Sequence, residues 1–208
     1  RAWYRYLRQT GVTYGMPTVV SALAKNASIT RSIISLFDAL HNPAATGNRD
    51  KEAAKFHKSI TADLSAVSAI DEDRILRRFM AIVLATVRTN AFSAAATEAL
   101  AFKLDCAKVP GLPAPLPWRE VFVYSPRVEG IHLRAGPVAR GGLRWSDRRD
   151  DFRTEVLGLM KAQRVKNAVI VPTGAKGGFY PKRLPDMRVD RDAWFAEGTE
   201  AYKIFIRT

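Results

Sequence analysis

The stretch REVFVYSP, residues 119–126, alternates apolar with polar side chains, and GIHLRAG, residues 130–136, repeats the alternation after the turn-like SPRVEG. Successive side chains of a strand point to opposite faces, so a period of two is typical of a sheet with one buried face. Two such runs joined by a short turn predict an antiparallel hairpin. The sequence therefore predicts that a sheet begins near residue 119.

The segment before this hairpin, VPGLPAPLPW at residues 109–118, contains four prolines. Each proline fixes a backbone angle and lacks an N–H donor, so neither a helix nor a central strand is expected to cross the segment. We predict that residues 110–117 form a linker between a first unit, 1–109, and a second unit, 118–208.

The chain before the linker carries apolar residues at helical spacing. One predicted helix follows Ser28 as N-cap and stops at Asn42-Pro43, and another follows Asp71 and continues past Asn90. Residues 1–109 are therefore predicted to be an all-helical segment. The two apolar stripes consist of Ile29, Ile33, Leu36, Phe37 and Leu40, and of Ile75, Leu76, Phe79, Met80, Val83 and Val87.

Helix and strand patterns alternate after the hairpin. DFRTEVLGLMKAQRVK, residues 151–166, has a helical stripe with carboxylates near its start, where they favour the helix dipole. NAVIVP, residues 167–172, is a short apolar run typical of a strand buried on both faces, and a last helix begins at Asp190. The predicted fold class is α+β or α/β, with a helical segment followed by the first part of an α/β domain.

Composition limits the functional classes. A chain of 208 residues, 47% of them hydrophobic, can bury a core, and no apolar run approaches the roughly 18 residues that span a bilayer. The single cysteine, Cys106, fits a reducing compartment, so a cytoplasmic location is expected. The net charge of +13 suits an anionic partner, either nucleic acid or a ligand bearing carboxylates or phosphates. The first residue is Arg1 rather than Met, so we expect the chain to be a piece of a longer protein.

The candidate chemistry begins with VPTGAKGGF, residues 171–179. It is not a P-loop, because Gly177 rather than Ser or Thr follows Lys176, and no G-x-G-x-x-G dinucleotide fingerprint occurs. Open α/β sheets bind ligands at the carboxyl ends of their strands, so Lys176 is a candidate acid–base group. Lys161 and Lys166 either add positive charge beside it or only stabilise a helix C-terminus.

A second candidate is GPVARGGLRWSDRRDDF, residues 136–152. Its glycines would let the backbone approach a ligand, and its arginines could bind a carboxylate through two donors. The alternative is a hairpin turn whose solvated arginines pair with neighbouring aspartates. A metal site is not predicted, because the three histidines are scattered. The arginines are Arg140, Arg144, Arg148 and Arg149, and the histidines are His41, His57 and His132.

The forty residues RGGLRWSDRRDDFRTEVLGLMKAQRVKNAVIVPTGAKGGF, 140–179, resemble the start of the catalytic core of glutamate dehydrogenases. The phrases GPVARGGLRWSDR and VKNAVIVPTGAKGGF are similar to those of the very large bacterial NAD-specific class. The resemblance implies a substrate-binding α/β domain here, with the NAD-binding Rossmann domain and the catalytic aspartate beyond Thr208. Residues 1–109 carry no such motif and are assigned to the family by linkage.

The resemblance also implies roles for individual residues. Lys176 matches the catalytic lysine, and Lys166 matches the lysine that holds the substrate's α-carboxylate. Arg140 stands where smaller relatives have a lysine, a departure that keeps the charge and offers two donors to a carboxylate. The loop PTGAKGG is one residue shorter than in many relatives. Further candidates are Gly141 and Gly142 for substrate binding, with Arg144, Lys161, Thr173, Gly174 and Gly177 in support.

The activity that the resemblance implies is NAD-dependent oxidation of L-glutamate to 2-oxoglutarate and ammonia. The 208-residue chain alone is expected to be inactive, to associate with the remainder of its parent, and to belong to a homo-oligomer. One alternative is a basic nucleic-acid-binding module, for which Trp145 and Phe152 are the nearby stacking candidates. Another is a non-catalytic helical scaffold for assembly. Neither nucleic acid nor membrane is the favoured partner.

Overall fold

The computed structural model describes residues 1–166 and 173–208, apart from the side chains of 164–166. Within these ranges the chain forms seven α-helices and one six-stranded mixed sheet. The predicted α+β class is confirmed. Among the described residues no helix combines the length and the apolar character that crossing a bilayer requires.

Five helices open the chain, and their starts follow local sequence. Asn48 caps the fourth helix by accepting a 3.0 Å hydrogen bond from the Lys51 amide. The third helix ends at His41 with Asn42 as its C-cap, in agreement with the predicted stop at Asn42-Pro43, but its N-cap is Asn26 rather than Ser28. Asp71 lies in the first turn of the fifth helix, where its charge favours the helix dipole, and is not the cap. The helices are α1 Ala2–Gln9, α2 Met16–Lys25, α3 Ala27–His41, α4 Arg49–Leu64 and α5 Ile70–Ala85.

The prediction that residues 1–109 are all helical is wrong from residue 86 onward. Helix α5 ends at Ala85, and two strands follow, β1 Thr86–Thr89 and β2 Leu100–Asp105, with short 3-10 turns after each. The side chain of Asn90 closes the turn between them by accepting from the Ala101 amide at 2.8 Å and donating to the Ala99 carbonyl at 2.9 Å. Pairing with neighbouring strands therefore outweighs the helix propensity of the alanine-rich segment.

The proline-rich segment 110–117 contains neither helix nor strand, as predicted. It joins β2 to β3 Arg119–Tyr124, and these two strands are antiparallel neighbours in the same sheet. One hydrophobic core includes side chains from before and after the segment, such as Phe79 and Phe122. The division of the chain into two domains at this segment stays a prediction.

The sheet has the strand order β1-β2-β3-β4-β6-β5. Strand β4, Val128–Arg134, pairs antiparallel with β3, which confirms the predicted hairpin. Strand β6, Ala175–Pro181, is antiparallel to β4, while the short β5, Leu143–Trp145, runs parallel to β6 at the sheet edge. The order places the chain after Gly136 and the chain after Thr173 side by side.

Helices cover both faces of the sheet. Helix α6, Phe152–Lys166, and α7, Arg191–Arg207, confirm the two helices predicted downstream of the hairpin, and Asp190 caps α7 by accepting from the Ala193 amide at 2.8 Å. Residues 167–172, predicted to be a buried strand, lie outside the described residues. The core on one face combines α1, α5 and α6 with Leu104, Phe122, Ile131 and Leu133, and that on the other combines α7 with Ala101, Val123, Val128 and Phe179.

A buried polar network attaches α1 to the sheet and to the start of α6. Tyr6 donates to Glu120, which also forms a 2.6 Å ion pair with Arg153. The side chains of Glu120 and Arg153 are 0% and 1% exposed. Burial, together with the negative charge of Glu120, raises the pKa of Tyr6 well above its ordinary value. Because one carboxylate serves two partners from different elements, this cluster fixes how α1 and α6 meet the sheet.

Cys106 is a free, buried cysteine beside this network. Burial raises the pKa of its thiol strongly, and the nearby Glu120 acts in the same direction. The thiol therefore stays protonated and packs as a small apolar group.

Candidate active site

The segment that carries Arg140 runs alongside the first residues of β6. Arg140 and Gly174 form a parallel bridge, and the Ala175 amide donates to the Arg140 carbonyl at 3.0 Å. The Gly177 amide donates to the Gly142 carbonyl, also at 3.0 Å. The two motifs that the sequence singled out, ARGG and GAKGG, are therefore adjacent segments joined by backbone hydrogen bonds, the first leading into β5 and the second forming the start of β6.

Lys176 lies within β6 rather than in a loop after a strand. It is opposite Leu133 of β4 and is half-buried. Directly opposed residues of neighbouring strands share a face, and Leu133 belongs to the core on the α6 side. Lys176 therefore projects from the face of the sheet that α6 covers. The strand predicted to precede it, at 167–172, is outside the described residues.

Gly141 and Gly142 meet different neighbours. A Cβ at position 141 would lie 1.5 Å from the backbone oxygen of Ala175, so only glycine allows the two strands to come this close. A Cβ at position 142 would lie 3.7 Å from Nζ of Lys176. The amino group of Lys176 thus stands beside Gly142, where the missing side chain leaves room for a ligand.

Arg140 and Lys176 are cations without a carboxylate partner in the described part of the chain. Arg140 is exposed. Two unneutralised cations, one on β6 and one on the segment that pairs with its start, are suited to a ligand with negative charge. Of the other predicted cations, Lys161 is exposed on α6, and the side chain of Lys166 is outside the described residues.

Arg144, predicted as a supporting residue, already has a partner. Its Nε donates to Glu155 of α6 at 2.8 Å, and the hydroxyl of Ser146 donates to the same carboxylate at 2.6 Å. Burial alone would raise the pKa of Glu155, but the hydrogen bonds from Ser146 and Arg144 outweigh it and lower the pKa. The guanidinium of Arg144 is therefore paired with a carboxylate of α6. Sequence reasoning did not assign a function to Glu155 or Ser146, because their contact depends on how α6 packs.

The remaining predicted supporting residues, Thr173, Gly174 and Gly177, contribute to the backbone contacts between the Arg140 segment, β4, β5 and β6. The hydroxyl of Thr173 donates to the Val138 carbonyl, which closes the loop that leads to Arg140. Gly174 forms the bridge with Arg140, and Gly177 lies between Leu143 and His132 on the neighbouring strands. These three positions shape the strand pairing that brings Arg140 close to Lys176.

The alternative of solvated arginines paired with aspartates holds for Arg148, which pairs with Asp151.

The nucleic-acid alternative gains no support from its two aromatic candidates. Trp145 stacks on Trp194 at 4.4 Å between ring centroids, and Phe152 is fully buried. Neither ring is free to stack on a base. In residues 1–166 and 173–208 no group of three His, Cys, Asp or Glu side chains is arranged to hold a metal ion.

Two family models match the chain. Residues 59–208 match the model described as bacterial NAD-glutamate dehydrogenase, catalytic domain, and residues 1–43 match glutamate dehydrogenase, helical motif 3. The class of protein is therefore that of the glutamate dehydrogenases. More narrowly, because the first model covers well over half of the chain, the chain belongs to the bacterial NAD-glutamate dehydrogenase family. The matched range begins inside α4, before the proline-rich segment.

Individual relatives agree with this assignment. The chain is 54% identical over 218 aligned residues to the NAD-specific glutamate dehydrogenase of Mycobacterium tuberculosis, 50% identical to that of Halomonas elongata, and 47% identical to that of Pseudomonas aeruginosa. Each alignment covers 99–100% of this chain and 13% of the relative. The family predicted from residues 140–179 is confirmed, and the chain spans a small part of the length of these relatives.

The described residues do not fit a dinucleotide site. A Rossmann domain needs consecutive parallel strands with a glycine fingerprint at the first strand–helix turn. In the described sheet β5 and β6 are parallel and the other neighbouring strands are antiparallel, and the sequence has no such fingerprint. No step that involves NAD is therefore assigned to the described residues.

Proposed function

We propose that this chain supplies the substrate-binding and acid–base groups of an NAD-dependent glutamate dehydrogenase, which converts L-glutamate to 2-oxoglutarate and ammonia. The observation that carries the proposal is the pairing of the Arg140 segment with β6. It places the amino group of Lys176 beside Gly142 and leaves both cations without a carboxylate partner among the described residues. The family and the names of its relatives supply the reaction and the cofactor.

In the proposed site the two carboxylates of glutamate are bound by cations. The planar guanidinium of Arg140 offers two parallel donors to one carboxylate. Lys166 is assigned to the α-carboxylate through the family resemblance. Fixing both ends of the substrate holds its α-carbon in one orientation, which contributes much of the rate gain when reacting groups must align.

Lys176 is proposed to move the proton during deamination. Oxidation of the amine gives an imine carbon, and a water molecule must lose a proton as it attacks that carbon. The amine form of Lys176 Nζ accepts this proton and passes it to the nitrogen, and it then does the same with the second proton of the former water. The nitrogen leaves as ammonia, the oxygen becomes the carbonyl of 2-oxoglutarate, and Nζ is restored, so atoms and charge balance without a further reagent. The oxidation itself is assigned to NAD held elsewhere in the parent protein. A cytoplasmic, homo-oligomeric parent is part of the same proposal.

The proposal is tested with the purified full-length parent enzyme, by comparing NADH formation from L-glutamate and from L-norvaline. Norvaline has the same carbon chain but lacks the second carboxylate. A site built around that carboxylate discriminates strongly, so we expect kcat/KM to be larger for glutamate by about 10⁴. Equal values for the two amino acids would overturn the proposal. In the same assay the 208-residue chain alone is expected to form no NADH.

A further inference from the structure

We propose that Glu155 is a positioning residue that holds the Arg140 segment beside Lys176, with Ser146 as its hydrogen-bond donor. The inference rests on the proposed function, because it assigns a kinetic consequence to the geometry of that site. Glu155 does not contact the substrate in this scheme. It acts through β5, the short edge strand that continues the segment containing Arg140, Gly141 and Gly142.

The local geometry makes Ser146 the junction of two elements. Its backbone amide donates to the Phe179 carbonyl of β6 at 2.8 Å, and its hydroxyl donates to Glu155 of α6 at 2.6 Å. Ser146 is 0% exposed, and the side chain of Glu155 is 16% exposed. A buried hydrogen bond to a carboxylate is stronger than one between neutral groups. The end of β5 is thus fixed both to the sheet and to the helix.

Strand β5 needs this attachment because it is short and lies at the edge. It comprises three residues, and β6 is its neighbour on one side. Edge elements with few backbone hydrogen bonds open at low free-energy cost. Helix α6 itself packs directly on β6, where Val156 occupies the space that a side chain at Gly178 would fill. Glu155 therefore links a short edge strand to a helix that packs directly on the sheet.

Glu155 also determines, by pairing with one of two nearby arginines, which of them is available to a ligand. It pairs with Arg144 at 2.8 Å, so the positive charge of Arg144 is neutralised. Arg140, four residues earlier, has no such partner in the described part of the chain. With the pair intact, an anionic substrate is directed to Arg140 rather than to the competing guanidinium of Arg144.

The test uses the full-length parent enzyme with Glu155→Ala, Glu155→Gln and Ser146→Ala, measuring KM and kcat for glutamate and KM for NAD. We expect Glu155→Ala to raise KM for glutamate about tenfold, with a smaller change in kcat and an unchanged KM for NAD. Glutamine keeps an oxygen that accepts from Ser146, so Glu155→Gln should raise KM less than Glu155→Ala does.

The matched control is Glu197→Ala on α7. The side chain of Glu197 is also 16% exposed and also pairs with an arginine, Arg127, but on the opposite face of the sheet. We expect its KM for glutamate to equal that of the unmodified enzyme. If Glu155 had only a structural role, Glu155→Ala and Glu197→Ala would both lower the melting temperature and the active fraction of the enzyme, and neither would change KM for glutamate. That result would overturn the inference.

Ser146→Ala keeps the test decisive if Glu155→Ala fails to fold, because it removes one hydroxyl. An unchanged KM for glutamate in folded Ser146→Ala and Glu155→Gln enzymes would contradict the inference. Lys176→Ala is measured alongside, because it distinguishes a failure of the inference on Glu155 from a failure of the proposed function. If Lys176→Ala is inactive while KM stays unchanged in the other variants, the positioning role of Glu155 alone is wrong.

Discussion

At the scale of single residues, the site depends on two adjacent glycines with different constraints. Gly141 is required by the neighbouring backbone, whereas Gly142 is next to the amino group of Lys176. The resemblance of residues 140–179 predicted Arg140, Gly142 and Lys176 as members of one site, and the strand pairing brings their backbones together. It did not predict that Arg144 pairs with Glu155, because such a contact depends on the packing of α6 and not on a sequence motif.

Alanine substitutions should separate these two constraints. Gly141→Ala forces a methyl group into the Ala175 backbone and should destabilise the 208-residue chain by about 3 kcal/mol, measured by urea unfolding. Gly142→Ala has room for its methyl group, so the chain should unfold at the same urea concentration as the unmodified protein. In the full-length parent, Gly142→Ala should nevertheless lower kcat/KM for glutamate. Equal unfolding midpoints for the two variants would refute this reading of Gly141.

At the scale of elements, hydrophobic periodicity predicted helices and the β3–β4 hairpin well. The period of 3.6 located α3, α5, α6 and α7, and the period of two located β3 and β4. It did not locate β1 and β2, because 86–109 mix alanine-rich and apolar stretches with good local helix propensity. What makes them strands is the pairing of β1 with β2 and of β2 with β3, together with the turn that the side chain of Asn90 holds.

The contact between elements with the largest expected effect on stability is the buried Glu120–Arg153 pair. In Glu120→Gln the guanidinium of Arg153 stays buried without a countercharge, and removing one partner of such a pair costs about 3–5 kcal/mol. Urea unfolding of the 208-residue chain measures this loss. The control is Glu98→Gln, whose ion pair with Arg207 is exposed and screened by solvent, so its loss should change the free energy of unfolding far less. Similar losses in both variants would show that the Glu120 network is not a stabilising junction.

At the scale of the whole molecule, the sheet is covered on one face by α1, α5 and α6 and on the other by α7. The net charge of +13 alone left nucleic acid and a small anion as alternatives. The placement of the aromatic rings and of the unpaired cations favours the small anion. The sheet order could not be read from the sequence, because β6 enters between β4 and β5 and only three-dimensional packing settles that insertion.

The central claim is that Nζ of Lys176 is the acid–base group of glutamate oxidation, and Lys176→Ala in the full-length parent tests it most directly. The measurement is kcat for glutamate at saturating NAD, with Lys58→Ala, an exposed lysine on α4, as the matched control. The account predicts a fall in kcat of about 10²–10⁴ for Lys176→Ala and no change for Lys58→Ala. A folded Lys176→Ala enzyme with the kcat of the unmodified protein would contradict it.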